Sequence, residues 1–416
     1  MVIVYDSGAA FVQAQKAVLD RYPLECGFYY ADAPLIPSAD KRNYALAVTE
    51  GDKTLLAMRP LPYNLMLLGD ESLIGELVEF LTVNGYELDS VLCNERIGDV
   101  FRDYMSREKH TEYYEALAMD YMESSGVYAP TDAEVESATQ ADVPELTELM
   151  KLFAEECGLE ERQSEADVLR KLDHYRILRR DGQIAAMVSV SDDTERAGRI
   201  SAVYTRPAYR GRNMAARLVN AAKNEIVASG LVADLNVDQR NPVTNYLYRK
   251  LGFERVFAQG QYRKALVETE RLRLYPLSDR EMEELIEQES IEELKQAYGE
   301  MLDACLVAPR DRVYSAIWKL ERKEDGVAVG DLCFKGLGED GTVEIGYGTY
   351  EPYQNQGYMT EAVRAMTAWA LSQGCVRQVE AETEAENAAS QRVLEKAGYV
   401  PNGMIGEEGP RFVWKG

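Results

Sequence analysis

YTRPAYRGRNMAARLVNAAKNEIVASG, residues 204–230, can be laid over GTYEPYQNQGYMTEAVRAMTAWALSQG, residues 348–374, without a gap. Each runs from a strand end through a polar turn, at Arg210 or Gln354, into a long helical stretch closed by Gly230 or Gly374. The offset is 144 at the turn and at the closing glycine. Further on, NPVTNYLYRKLGF (241–253) matches NAASQRVLEKAGY (387–399) at an offset of 146. Shared order, spacing and turn chemistry over about fifty residues mark two copies of one domain, the internal repeat that is sought before any fold is assigned.

A fainter third copy lies upstream. SLIGELVEFLTVNG (72–85) places Leu73, Leu77, Val78 and Leu81 on one helical face and closes at Gly85, 145 residues before Gly230. A strand over Leu88–Cys93 and an amphipathic helix carrying Ile97, Val100, Phe101 and Tyr104 follow. ESSGVYAPTD (123–132) has the glycine, proline and serines of a linker. No such stretch separates the second and third copies, so their boundary is placed near Leu266. The division expected is 1–128, 129–265 and 266–416.

Both full copies share an upstream layout. AEVESATQAD reads as a strand and VPELTELMKLFAEEC as an acidic helix with Pro144 near its start; RILRRDG, QIAAMVSVSDD and GRISAVYT read as strands. In the last copy ETERLRLYPLS opens as a strand, helices run to residue 304, and strands recur at YSAIWKL, GVAVGDLCF and TVEIGYGTY. Strands before and after long helices predict an α/β fold with a mixed sheet in each copy.

Composition narrows the function. The 416 residues carry 46 Lys and Arg against 71 Asp and Glu, a formal charge of −25. That balance opposes nucleic-acid binding, which needs basic neutralisation of phosphates, and favours cationic partners. Six cysteines without a C-x-x-C pair suit reduced thiols in a cytoplasm, and with only His110 and His174 no metal site is expected. No apolar run approaches the ~18 residues of a membrane span, and MVIVYDSGAA shows no signal-peptide pattern.

The turns Arg210-Gly211-Arg212-Asn213-Met214-Ala215 and Gln354-Asn355-Gln356-Gly357-Tyr358-Met359 each follow a strand and open a helix. Such a turn aims consecutive backbone N–H groups along the positive end of a helix dipole, which makes an anion site. At these residues the chain resembles the GNAT superfamily of acyl-CoA-dependent N-acetyltransferases, whose pyrophosphate loop reads Q/R-x-x-G-x-G/A. The resemblance implies tandem acyl-CoA N-acyltransferase folds, each a mixed central sheet flanked by helices, with acetyl-CoA as acetyl donor and no metal. Asn213 stands where the first motif glycine belongs and Met359 where the last small residue belongs. The last copy is similar to the branch that acetylates ribosomal-protein N-termini, by ETERLRLYPL, VEIGY, Asn387 and Ser390.

The resemblance also assigns roles. Tyr248, four residues before Gly252-Phe253, falls where a tyrosine of the superfamily protonates the departing thiolate, and Leu394 takes its place in the last copy. Glu344 is the candidate base there, directly or through water. Cofactor contacts would come from the two turns and from Asn241, Asn387 and Ser390, with Val203 and Thr205 also at the cofactor, and the oxyanion donors would be fourth-strand backbone N–H groups near Val203 to Thr205 and Tyr347 to Thr349. The first copy has PLPYNLMLLGDES at the loop position, with Asp70 and Glu71 at the helix start, and is expected to be catalytically empty. The acceptor would be a small amine or a peptide N-terminus, with neither nucleic acid nor membrane as partner. An acyl-CoA-binding sensor without turnover and an aminoacyl-tRNA-dependent transferase are the rival readings.

Overall fold

The computed structural model describes residues 1–126, 132–157, 163–191 and 196–416. The sequence-predicted linker 123–132 and repeat boundary therefore lie partly outside the described residues. The chain forms two compact units: Met1–Asp99 with Leu117–Gln261, and Val100–Ala116 with Tyr262–Gly416.

The first unit is built on a twelve-stranded sheet. Its strands are β1 (Val2–Tyr5), β2 (Tyr44–Glu50), β3 (Lys53–Arg59), β4 (Leu65–Gly69), β5 (Ser90–Asn94), β6 (Tyr113–Ser124), β7 (Glu136–Ser137), β8 (Tyr175–Arg180), β9 (Gln183–Ser191), β10 (Ala197–Thr205), β11 (Val232–Asp238) and β12 (Glu254–Lys264). The order across the sheet is 1-2-3-4-5-12-6-11-10-9-8-7. The helices are α1 (Gly8–Leu19), α2 (Gly27–Asp32), α3 (Ile74–Val83), α5 (Val143–Glu156), α6 (Glu165–Arg170), α7 (Met214–Ala228) and α8 (Pro242–Lys250), while α4 (Glu95–Lys109) starts in this unit and continues in the Val100–Ala116 segment of the second.

The second unit carries an eight-stranded sheet of β13 (Val267–Glu268), β14 (Leu272–Pro276), β15 (Ile317–Arg322), β16 (Ala328–Leu337), β17 (Thr342–Thr349), β18 (Gln378–Glu382), β19 (Tyr399–Ile405) and β20 (Pro410–Trp414), in the order 13-14-15-16-17-18-20-19. Its helices are α9 (Asp279–Gln288), α10 (Glu292–Val307), α11 (Tyr358–Ser372) and α12 (Ala388–Ala397). One face is covered by α11, whose Met359, Val363 and Met366 pack with Trp318, Leu332, Val343 and Ile345. Ile317, one residue out of phase with Trp318, faces the other way and packs with Met282 of α9 and Leu302 of α10.

Comparing the two sheets shows what the repeat conceals. In the second unit, β18 pairs antiparallel with β20, and β19 lies outside β20. In the first unit the place of β20 beside β11 is taken by β6, a strand of the first repeat, through six residue pairs from Ala233↔Ser124 to Asp238↔Met119. Conversely β12, from the middle repeat, lies beside β5 of the first. The two repeats exchange strands, so each closes its sheet with backbone from the other. Nothing in the hydrophobic pattern of a strand names its neighbour, and the exchange is invisible in sequence.

Each long helix of the repeat arises as its pattern predicts. In α7, Leu218, Val219, Ala222 and Ile226 form the buried stripe. The helix approaches β10 so closely that a side-chain carbon on Gly198 would lie 2.8 Å from the Ile226 side chain. The segment AEVESATQAD forms only a two-residue strand, β7, because Thr139 and Asp142 close a capping box that starts the next turn.

Candidate functional site

The two polar turns have one backbone. A short 3-10 turn, Pro207–Tyr209 or Glu351–Tyr353, leads into Arg210 (φ −64°, ψ 162°) or Gln354 (φ −64°, ψ 156°). Two left-handed residues follow at alternate positions: Gly211 (φ 72°) and Asn213 (φ 61°) in one loop, Asn355 (φ 59°) and Gly357 (φ 82°) in the other. Glycine and asparagine have changed places, and both residue types tolerate this region at low cost. Asn213 therefore supplies the conformation that the motif glycine would.

The side chain of the first motif residue braces the loop. Arg210 Nε donates to the Thr205 carbonyl at 3.0 Å, and Gln354 Nε2 donates to the equivalent Thr349 carbonyl at 3.3 Å. Arg210 also pairs with Glu156 at 2.5 Å. Arg210, Gly211, Arg212 and Asn213 are exposed, as are Gln354, Asn355, Gln356 and Gly357. Met214, Tyr358 and Met359 turn their side chains into the cores, so only their backbone N–H groups face the loop; Ala215 is half-buried.

Neither α7 nor α11 has a side-chain cap, whereas Asn241 and Asn387 cap α8 and α12 by accepting from Thr244 N (3.1 Å) and Ser390 N (3.0 Å). The first-turn N–H groups of the two loop helices are left for water or an anion. No acidic residue occupies the first turn of α7, and Glu361 in α11 is tied to Arg271 at 2.7 Å. The first repeat contrasts with both. Four residues, Asp70–Leu73, join β4 to α3 where eight, Arg206–Asn213 or Tyr350–Gly357, join strand to helix in the others. Asp70 accepts from Ser72 N at 3.0 Å, so a carboxylate already occupies one donor of that turn.

Beside each loop the sheet opens. The parallel ladder of β10 and β11 holds from Ala197↔Val232 to Arg199↔Asp234, and that of β17 and β18 from Thr342↔Gln378 to Glu344↔Glu380. The next residues, Val203–Thr205 and Tyr347–Thr349, lie past those ladders. A bulge between Ser201 and Tyr204, with Ala202 at φ 47°, re-aims β10 there. Among the described residues the buried Thr205 hydroxyl has no hydrogen-bond partner, an orphan at the foot of the loop. In the last repeat Tyr347 donates to the Ser390 carbonyl at 3.1 Å and lies 3.0 Å from its hydroxyl, linking β17 to the start of α12.

The two sites differ in their chemical groups. Tyr248 on α8 is 6% exposed, stands edge-on to Phe253, and has its hydroxyl pushed up to about 12, chiefly by burial. Leu394 fills that place in the last repeat. Glu344 on β17 has both oxygens engaged, Oε1 with Lys335 and Oε2 with Arg411, each at 2.7 Å. Arg411 also reaches Glu380 at 3.1 Å and Glu382 at 3.5 Å. The ladder registers put Arg199 at the corresponding point of the middle repeat, paired with Asp234, which also accepts from Tyr121 at 2.7 Å. One repeat thus presents a phenol and the other a row of carboxylates.

The same strand–loop–helix turn beside a short parallel ladder thus occurs in both repeats. Residues 143–253 match the acetyltransferase (GNAT) family model and residues 265–400 match an acetyltransferase (GNAT) domain model. The chain belongs to the GNAT acetyltransferases, with two such domains in tandem. It is 36% identical over 86 residues to the Uncharacterized N-acetyltransferase YjdG of Bacillus subtilis, a match covering 20% of this chain and 51% of that protein. The chain thus spans about half the length of the curated relative it matches. Among solved structures it is similar to a GNAT acetyltransferase from Colwellia psychrerythraea (10% identity, TM-score 0.46, 64% of this chain and 99% of that one). A GCN5-related N-acetyltransferase from Sphaerobacter thermophilus aligns at 16% identity and TM-score 0.45, over 63% and 95% of the chains. The ribosomal L7/L12 alpha-N-protein acetyltransferase RimL aligns at 14% and 0.30, over 36% and 92%. Among the described residues no helix is long and apolar enough to cross a membrane.

Proposed function

We propose that the chain is a cytoplasmic acetyl-CoA-dependent N-acetyltransferase of three repeats, 1–128, 129–265 and 266–416, the last two each binding one acetyl-CoA. The observation that carries this is the pair of uncapped helix starts behind left-handed loops, at Gly211/Asn213 and Asn355/Gly357. The first-turn N–H groups, with Arg210, Arg212, Gln354 and Gln356 around them, suit a pyrophosphate. Val203, Thr205, Asn241, Asn387 and Ser390 would line the thiol arm, the orphan Thr205 hydroxyl finding its partner there. Tyr248 donates to the departing sulfur in the middle repeat. Glu344, Glu380, Glu382 and Glu408 outnumber Lys335 and Arg411, with which they pair, and the surplus negative charge draws an ammonium toward the last site. The formal charge of −25 supports a cationic amine acceptor, a small molecule or a peptide N-terminus.

Calorimetry of the whole chain should give two acetyl-CoA sites, and Gly357→Asp should remove one. A carboxylate about 5 Å from a phosphate charge costs roughly 3 kcal/mol at an effective dielectric of 20, about a hundredfold in affinity. Gly357→Asn is the control: the same left-handed position holds Asn213 in the other loop, so this isosteric variant should bind nearly as wild type. Equal affinities in both variants would sink the phosphate assignment. Coenzyme release with a panel of amines then separates an enzyme from a protein that binds acetyl-CoA without turnover.

A further inference from the structure

On the side of the second sheet away from α11, β16 and β17 carry polar groups beside the Ile317 cluster under α9 and α10. Glu344, Gly346 and Gly348 share that side on β17, opposite Lys335, Cys333 and Asp331 on β16. The two glycines leave the β16 side chains uncovered: a side-chain carbon on Gly346 would lie 3.4 Å from Cys333 Sγ, and one on Gly348 would lie 3.5 Å from Asp331 Oδ1. Asp331 therefore looks out over the stretch of β17 that lies past the β17–β18 ladder, two residues before the braced loop begins.

We infer that Asp331 is the carboxylate that takes the proton from the acceptor ammonium in the last repeat. This rests on the acetyl-transfer reading above. Geometry favours Asp331 over Glu344, whose two oxygens already face Lys335 and Arg411. Tyr350, a neutral group at the start of the loop, is the neighbour whose hydroxyl favours the charged form of Asp331. Around it stand Tyr298 of α10, Cys333 of its own strand and, opposite in register on β15, Lys319, whose ammonium lies over the Tyr275 ring; Glu289 faces Tyr298 from the end of α9. Burial raises the Asp331 carboxyl above its ordinary range, the direction a base near neutral pH requires. The middle repeat has Met187, fully buried, at the corresponding register point, so the feature belongs to the last repeat alone.

The step balances without a further reactant. Asp331 accepts one proton from R–NH3+, leaving the amine lone pair to attack the thioester carbonyl. The new C–N bond forms as the C–S bond breaks, the second nitrogen proton passes to the thiolate, and the Asp331 proton goes to solvent. Glu344, Glu380 and Glu382 set the attraction for a cation on this face.

The test uses the full chain, acetyl-CoA, and spermidine, glycinamide and a short peptide with a free amino terminus as acceptors. Turnover that disappears in Gly357→Asp is the last repeat's own. Asp331→Asn should lower that turnover about 10²–10⁴-fold, keep acetyl-CoA affinity, and abolish the acidic limb of the pH–rate profile. Asp331→Glu should recover part of the rate. Unchanged turnover in Asp331→Asn, with wild-type activity present, overturns the assignment alone. Loss of acetyl-CoA binding in Asp331→Asn makes the residue structural and also overturns it. No turnover of any acceptor, or none sensitive to Gly357→Asp, removes the acetyl-transfer reading of this repeat and Asp331 with it.

Discussion

Replacing Tyr248 with phenylalanine should cut acetyl transfer by the middle repeat about 10²–10³-fold, the loss typical of one hydrogen-bond donor to developing charge, while leaving its acetyl-CoA affinity intact. Phenylalanine keeps the ring that meets Phe253 edge-on, so the core of α8 is preserved and only the hydroxyl is lost. The hydroxyl is pushed up to about 12 by burial, so it stays protonated throughout the working range. A thiol ionises near ~8.5, so full transfer from such a phenol is uphill by about 5 kcal/mol. On the proposed reading Tyr248 is therefore a hydrogen-bond donor to the developing thiolate, and the closing proton comes from the amine nitrogen. The pH–rate profile of the wild type should therefore show no alkaline limb from this tyrosine below about pH 12. Stopped-flow measurement of coenzyme release in the Gly357→Asp background isolates the middle repeat. A variant with weaker cofactor binding and unchanged turnover would make the hydroxyl a positioning group; no effect on either would make Tyr248 a core residue.

Beginning the chain at residue 129 should prevent the middle repeat from folding, although its own repeat would be complete. The loss takes β6 from beside β11 over six residue pairs, at about 1 kcal/mol for each hydrogen bond. Fully buried Met122 adds about 2–3 kcal/mol of apolar burial, and Asp234 loses its bond from Tyr121. Against a domain stability of 5–15 kcal/mol this is most or all of it. The second unit loses structure as well, because Tyr114, packed 5.6 Å from Trp369, and Glu112, 3.4 Å from Arg312, belong to it. The shortened chain should lack a cooperative thermal transition by circular dichroism. Residues 1–128 and 129–416 produced together as two pieces should co-purify and recover it. A monomeric, cooperatively folding 129–416 would show that the exchanged strand is dispensable.

Much of the site was readable before any coordinates because it is local. A loop that must turn through two left-handed residues and leave a helix start uncapped needs Gly and Asn at fixed spacing, and Gly211/Asn213 and Asn355/Gly357 display that spacing. Asn241 and Asn387 likewise announce the starts of α8 and α12, since a cap acts within three residues. The amphipathic stripe of α7 declared the buried face by its period alone. The expectation that the first repeat is empty rests on the acidic residues at its helix start, and the structure shows there a loop of four residues where the others have eight.

What the tertiary structure decided is everything that depends on which strand lies beside which. Glu344 reads in sequence as a strand carboxylate open to substrate, yet Arg411, 67 residues away, closes one side of it. Asp331 carried no signal at all, because its outlook depends on Gly348 lying opposite it across the β16–β17 register. The exchange of β6 and β12 is the largest such fact. Helix, cap and turn are set by neighbours a few residues apart, whose chemistry the sequence spells out directly. Strand pairing joins residues a hundred positions apart through backbone groups that every residue shares, so only the folded sheet selects the partner.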